Sequence, residues 1–148
     1  MQRAIDRLDI AEAISRYFFA LDSLEDAAAL EACFTEDAVW TCYDHGQQTP
    51  ALQFDSRSDL TQVLAFQATQ LGGLVRHHLT GLVFDALDEE RAETRAKVLV
   101  TIQRPGDPAP QVRNTATCEG SWRKTGTGWR LSGWVIRRGP AGGGDGQR

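Results

Sequence analysis

LVRHHLTGLVFDALDEERAETRAKVLVTIQRPGDPAPQVRNTATCEGSWRKTGTGWRLSGWVIRR, residues 74–138, decides the fold. It divides at its turn-forming letters. Residues 74–86, 91–103, 111–124 and 129–138 are rich in β-branched and aromatic side chains. Between them lie an acidic turn at Asp88-Glu89-Glu90, a proline-rich turn at 104–110 and a tight turn from Thr125 to Gly128. Strand-like runs separated by short turns predict three consecutive hairpins, an antiparallel meander.

The residues before this stretch have a different period. Ile10, Ile14, Tyr17, Phe18 and Leu21 recur at helical spacing, so 4–21 reads as an amphipathic helix ending at Asp22-Ser23. An Ala-rich segment at 24–33 predicts a short second helix, and Thr35-Glu36-Asp37 reads as a turn. Ala38 to Tyr43 predicts a strand. Gly46 and Pro50 make 44–55 a loop. Ser56, with Asp59 three residues on, caps a third helix carrying Leu60, Val63, Leu64, Gln67 and Leu71, which Gly72-Gly73 stops. Glycines and Pro140 predict a frayed tail over 139–148.

Three N-terminal helices followed by a meander give an α+β class, with one domain over 1–138. A strongly curved antiparallel sheet with the long helix across its concave side forms a cone closed at one end. Its interior is an apolar pocket with a few inward polar groups, a common shape for a small-molecule site.

Composition excludes other classes. The 148 residues are 41% hydrophobic and 24% charged, near the globular average. No apolar run reaches the ~18 residues of a membrane span. Asp6, Asp9 and Glu12 argue against a signal or transit peptide, so a cytoplasmic location is expected. Cys33, Cys42 and Cys118 form no C-x-x-C pair and read as reduced, buried small hydrophobes. Residues 1–60 hold four Lys/Arg against twelve Asp/Glu, and 61–148 hold twelve against eight, without a dense basic cluster. Nucleic acid is therefore not an expected partner. The three histidines lack a metal-ligand spacing, no Gly-rich phosphate loop follows a strand, and no G-x-S-x-G occurs. No cofactor or metal is expected.

Three segments in order carry a resemblance: AISRYFFALDSLEDAAALEACFTEDAVW (13–40), RHHLTGLVFDAL (76–87) and GSWRKTGTGWRLSGW (120–134). Together the chain resembles, over about 4–138, the SnoaL-like branch of the nuclear transport factor 2-like superfamily. Scytalone dehydratase-like enzymes and polyketide cyclases of that branch share a cofactor-free polar pocket. The resemblance implies that the dehydratases' helix-ending Asp falls on Asp22 and their first catalytic His on His77. Their second His would fall near Ala96, and their Ser/Asn strand pair near Ala116 and Cys118, where this sequence departs from the pattern.

Beside the resemblance stand the residues' own readings. A carboxylate at a helix C-terminus opposes the macrodipole, so Asp22 needs a cation, a proton or water. It either pairs with an inward imidazole or sits solvated in a helix–helix turn. His77 and His78 are adjacent on a strand, so only one points inward; the family register favours His77 as acid/base, and His78 is kept as a substrate contact. Tyr17, on the apolar face of the first helix, is a candidate hydrogen-bond donor to a substrate oxygen or a core residue. Trp40 and Tyr43 have opposite parity, and one of them walls the pocket. Asn114 and Cys118 share a strand face with Ala116 and are candidate substrate contacts. His45 reads as a solvated loop residue.

Three functions fit this reading. The first is a cofactor-independent dehydratase, isomerase or cyclase acting on a small, largely apolar, carbonyl-bearing metabolite, polyketide-like in character. The second is a non-catalytic small-molecule-binding or accessory domain. The third is a subunit of a larger oxygenase. A homodimer is expected in each case, through Trp122, Trp129 and Trp134 on the convex sheet face.

Overall fold

A computed structural model describes residues 1–140 apart from 24–26 and 71, and says nothing of the side chains of 63 and 65–69. Within it, α1 is Gln2–Ser23, α2 Ala27–Glu31, β1 Phe34–Tyr43, β2 Leu52–Phe54, α3 Arg57–Gln70, β3 Leu74–Leu87, β4 Arg91–Gln103, β5 Gln111–Thr125 and β6 Gly128–Arg138. The helices and the last four strands match the expected pattern. The expected start of the second helix (24–26), the side chains of Val63, Gln67 and Leu71, and the tail from 141 onward lie outside the described residues.

One curved, unclosed sheet holds all six strands in the order β2-β1-β6-β5-β4-β3. The meander from β3 to β6 is antiparallel throughout. Three readings of the sequence are corrected. β1 joins the sheet parallel to β6, so the sheet is mixed rather than wholly antiparallel. Residues 35–37 are strand rather than turn: between Phe34↔Leu131 and Val39↔Gly133 the pairing shifts, which leaves Glu36 and Asp37 exposed and turn-like in composition. The 44–55 segment is not all loop, because Leu52–Phe54 returns as a short antiparallel partner of β1.

Bulges curve the sheet. On β3, Thr80 and Asp85 are extra residues opposite β4. Such insertions bend a strand and raise its twist. Each is fastened on the outer face: Thr80 Oγ1 donates to the Lys97 carbonyl at 3.1 Å, and Arg95 holds the Asp85 carboxylate through Nε and Nη2, both at 2.7 Å. Skipping a residue at each bulge keeps Val75, His77, Leu79, Leu82, Phe84 and Leu87 on the same inner face.

The core lies between that concave face and α1. Ile10, Ile14 and Tyr17 of α1 are 0% exposed. On β4, Ala92, Thr94, Ala96, Val98, Val100 and Ile102 alternate inward. At the middle of the sheet, Gly120 lets the Trp134 ring lie directly on the backbone: a Cβ there would come within 2.9 Å of it. The other end of α1 seals the narrow end of the cone. Asp6, 2% exposed, accepts from Lys124 Nζ at 2.6 Å and Trp129 Nε1 at 3.1 Å. Trp122, Trp129 and Trp134 are all buried in this core, so they do not form the expected convex interface.

Candidate functional site

At the wide end, between the C-terminal turns of α1 and the concave sheet, lies a cavity of about 550 Å³. That is a volume typical of small-molecule sites. Phe18 and Leu21 wall it from α1; Trp40, Val98, Val100 and Ala116 wall it from the sheet.

The central polar contact follows from an edge-strand problem. β3 is the last strand of the sheet, so alternate backbone N–H groups have no strand partner. Asp22, in the last turn of α1, supplies an acceptor: its carboxylate takes the His77 backbone N–H at 3.0 and 3.2 Å and His77 Nδ1 at 2.6 Å. The imidazole also stacks on Phe18, with centroids 5.7 Å apart and planes 9° apart. The His77 and Asp22 side chains are 20% and 13% exposed. A carboxylate at Nδ1 requires that nitrogen to carry the proton. Nε2 is then the acceptor of the neutral ring.

Tyr17 also lines the cavity. Its oxygen accepts from Trp40 Nε1 at 3.4 Å, and its own hydrogen has no acceptor among the described residues. Burial pushes the phenol well above its ordinary range, so it stays a neutral donor. Trp40 is therefore the inward member of the β1 aromatic pair. Tyr43 is corrected: it points away from the cavity and lies under Arg137, whose guanidinium is 4.7 Å from the ring centroid. His78 is corrected likewise, being exposed, with its Nε2 2.9 Å from Thr101 Oγ1. Both errors are of strand parity, which a residue list alone leaves open.

Asn114 is half-buried at the cavity, its Nδ2 donating to the Thr115 carbonyl at 3.3 Å. Cys118 forms part of the wall. Burial pushes its thiol up to about 12 and raises that of Cys42 in the same wall, so both are protonated, unreactive surface. Cys33, elsewhere, is pushed up to about 11 by burial. Ala96 is core, and the residue opposite His77 on β4 is Val100, so no second imidazole faces His77 from that strand. Among the described residues no group of three His, Cys, Asp or Glu side chains is arranged to hold a metal ion.

Among the cavity residues that the sequence reading missed are Arg138, Trp134 and Arg113. Arg138 shares its parity with Trp134 and Ile136, so two-residue spacing was the available signal. Trp134 lines the wall, its buried Nε1 without a hydrogen-bond partner among the described residues. Arg113 reaches the mouth only because of a bulge. Val100 pairs with Asn114 and Thr101 with Val112, so Arg113 is an extra residue and joins Asn114 at the cavity.

Comparison with known proteins places this geometry in a wider group. The profile of the SnoaL-like domain matches residues 2–135. No protein of curated function matches the sequence. Among solved structures, an NTF2-like protein with a cystatin-like fold from Novosphingobium aromaticivorans is similar at TM-score 0.75 and 21% identity, covering 98% of this chain and 87% of that one. A candidate scytalone dehydratase from the same organism is similar at TM-score 0.73 and 16% identity, covering 93% and 87%. The beta subunit of the benzoate 1,2-dioxygenase from Burkholderia mallei is similar at TM-score 0.74 and 13% identity, covering 89% of each chain. At these identities the likeness is one of fold.

Proposed function

The chain belongs to the SnoaL-like domain family, and from that premise we propose that it is a cofactor-independent acid/base enzyme acting on a small, largely apolar, carbonyl-bearing metabolite. The observation that carries the proposal is the 2.6 Å contact between Asp22 and His77 Nδ1 at the edge of an apolar cavity. It leaves Nε2 as the acceptor that takes a proton and places a carboxylate where it stabilises the imidazolium that forms.

In this reading Nε2 of His77 removes a proton from the carbon next to the substrate carbonyl. The electron pair moves onto the carbonyl oxygen, which takes hydrogen bonds from the Tyr17 hydroxyl and the Asn114 amide. In a β,γ-unsaturated ketone the proton held on Nε2 then goes to the γ-carbon as the double bond moves into conjugation and the carbonyl re-forms, an isomerisation; in a β-hydroxy ketone it goes to the hydroxyl, which leaves as water while the carbonyl re-forms. General acid/base assistance of this kind contributes ~10²–10⁴-fold. Donors aimed at a developing oxyanion contribute ~10²–10³-fold more.

A binding-only reading is favoured by one feature: opposite His77 the wall is Val100, with Val98, Ala116 and Cys118 beside it, and none of these offers a second acid or base. Deuterium exchange separates the two. 2-Tetralone incubated with the protein in D₂O should lose its α-hydrogens faster than in buffer, and His77→Gln should return the rate to background. A bound ketone whose α-hydrogens exchange at the buffer rate would leave only the binding reading.

A further inference from the structure

Six of the thirteen arginines among the described residues sit on carboxylates, among them Arg95 on Asp85, Arg123 on Asp37, Arg137 on Glu119 and Arg138 on Asp44. Arg113 does not. Among the described residues it makes no ion pair and no hydrogen bond, although it lines the cavity mouth beside Arg138. Its surroundings are positive. Partial burial, then the charges of Arg138 and Arg104, hold its guanidinium below its ordinary value, though still protonated at neutral pH. Arg138 already holds an acid, its Nη1 lying 2.9 Å from Asp44 Oδ1. The β5 bulge is what brings this unpaired cation to the mouth instead of the outer face.

We propose that Arg113, assisted by Arg138, is a subsite for a carboxylate of the ligand, and that it determines specificity. An anion at the mouth would supply Arg113 with the partner the chain withholds, and a guanidinium suits a carboxylate by its paired N–H geometry. The register also sets a length. His77 pairs with Val100 and Val100 with Asn114, so the acid/base residue and the residue next to Arg113 lie two strands apart, about 10 Å. Taken with the acid/base reading, on which this part rests, the substrate class is a roughly two-ring carbonyl compound with its carboxylate at the end remote from the reacting carbon.

The test compares two near-isosteric probes by calorimetric titration: 2-naphthoate, which carries the charge, and 2-acetonaphthone, which does not. The wild type should bind naphthoate more tightly, with the margin shrinking as salt is raised. Arg113→Gln should weaken naphthoate by between about ten- and a hundredfold, the range for a hydrogen bond to a charged group, and leave acetonaphthone unchanged. Arg113→Lys should keep most of the preference, and Asp44→Asn, which frees Arg138, should increase it. Because the readout is affinity, His77→Gln should keep the preference while losing any turnover; that failure would touch only the catalytic reading. Equal binding of the two probes by the wild type, binding of neither, or a preference that survives Arg113→Gln in a protein with an unchanged melting temperature would overturn the subsite.

Discussion

One carboxylate at Asp22 performs two tasks: it completes the edge of β3 by accepting a backbone N–H, and it orients the imidazole of the same residue. The two tasks separate by substitution. Asp22→Asn keeps an oxygen for the backbone N–H but loses the charge that stabilises an imidazolium. In the proposed enzyme it should lower kcat by about 10²–10⁴-fold with the fold intact. Asp22→Ala removes both contacts and should in addition loosen the start of β3, seen as faster amide exchange at His77. An Asn variant with wild-type turnover would show that the charge is not used. Tyr17 behaves differently, since its ring packs edge-on against Phe34 and Trp134 at 5.5 and 5.4 Å. Tyr17→Phe keeps that packing but leaves Trp40 Nε1 without its acceptor, costing about 1–3 kcal/mol in a denaturant titration.

Among the elements, the middle of the sheet tolerates little added volume. Thr94 on β4 accepts from Trp122 Nε1 of β5 at 2.8 Å, and Gly120 between them carries the Trp134 ring. A methyl at Gly120 would meet Thr94 Oγ1 at 2.8 Å and Trp134 at 2.9 Å. Gly120→Ala should therefore cost about 1–3 kcal/mol by overpacking, measured from urea unfolding. The same substitution at Gly126, where nothing lies within 4 Å, is the control and should be close to neutral. Equal costs at the two positions would mean that the close approach at Gly120 is not felt.

For the molecule as a whole, the narrow end of the cone is an electrostatic seal. Hydrogen bonds from Lys124 and then Trp129 hold the Asp6 carboxyl below its usual value. A lowered folded value stabilises the protein above the unfolded carboxylate value, about 4, and that contribution disappears as pH falls through the folded value. Asp6→Asn should thus be less stable than wild type at pH 7, with the gap narrowing under acid; a gap independent of pH would contradict this. A homodimer remains a proposal, and the three tryptophans once assigned to its surface are core. Sedimentation at micromolar concentration should give about twice the 16.3 kDa chain mass, and a single-chain species would remove the proposal. Among the described residues no helix is long and apolar enough to cross a membrane.

Periodicity and turn chemistry were enough to read the helices, the four long strands and their hairpins, because those signals are local: a 3.6-residue stripe, a two-residue alternation and Gly- or Pro-marked reversals. The family likeness added the Asp22–His77 pair, which no spacing in the chain reveals across 55 positions. What stayed illegible depends on register. An extra residue at Thr80, Asp85 or Arg113 has no characteristic letter, yet each one reverses which side chains face the cavity. The sequence reading puts the three tryptophans on the convex face and keeps Tyr43 and His78 as pocket contacts, where folding does not place them, and it passes over Arg113. The parallel seating of β1 against β6 was equally hidden, since strand composition does not encode a distant neighbour's direction. Local letters specify what a segment is. Its inner face is settled only when the whole sheet has been paired and curved around α1, because a one-residue shift exchanges the two faces.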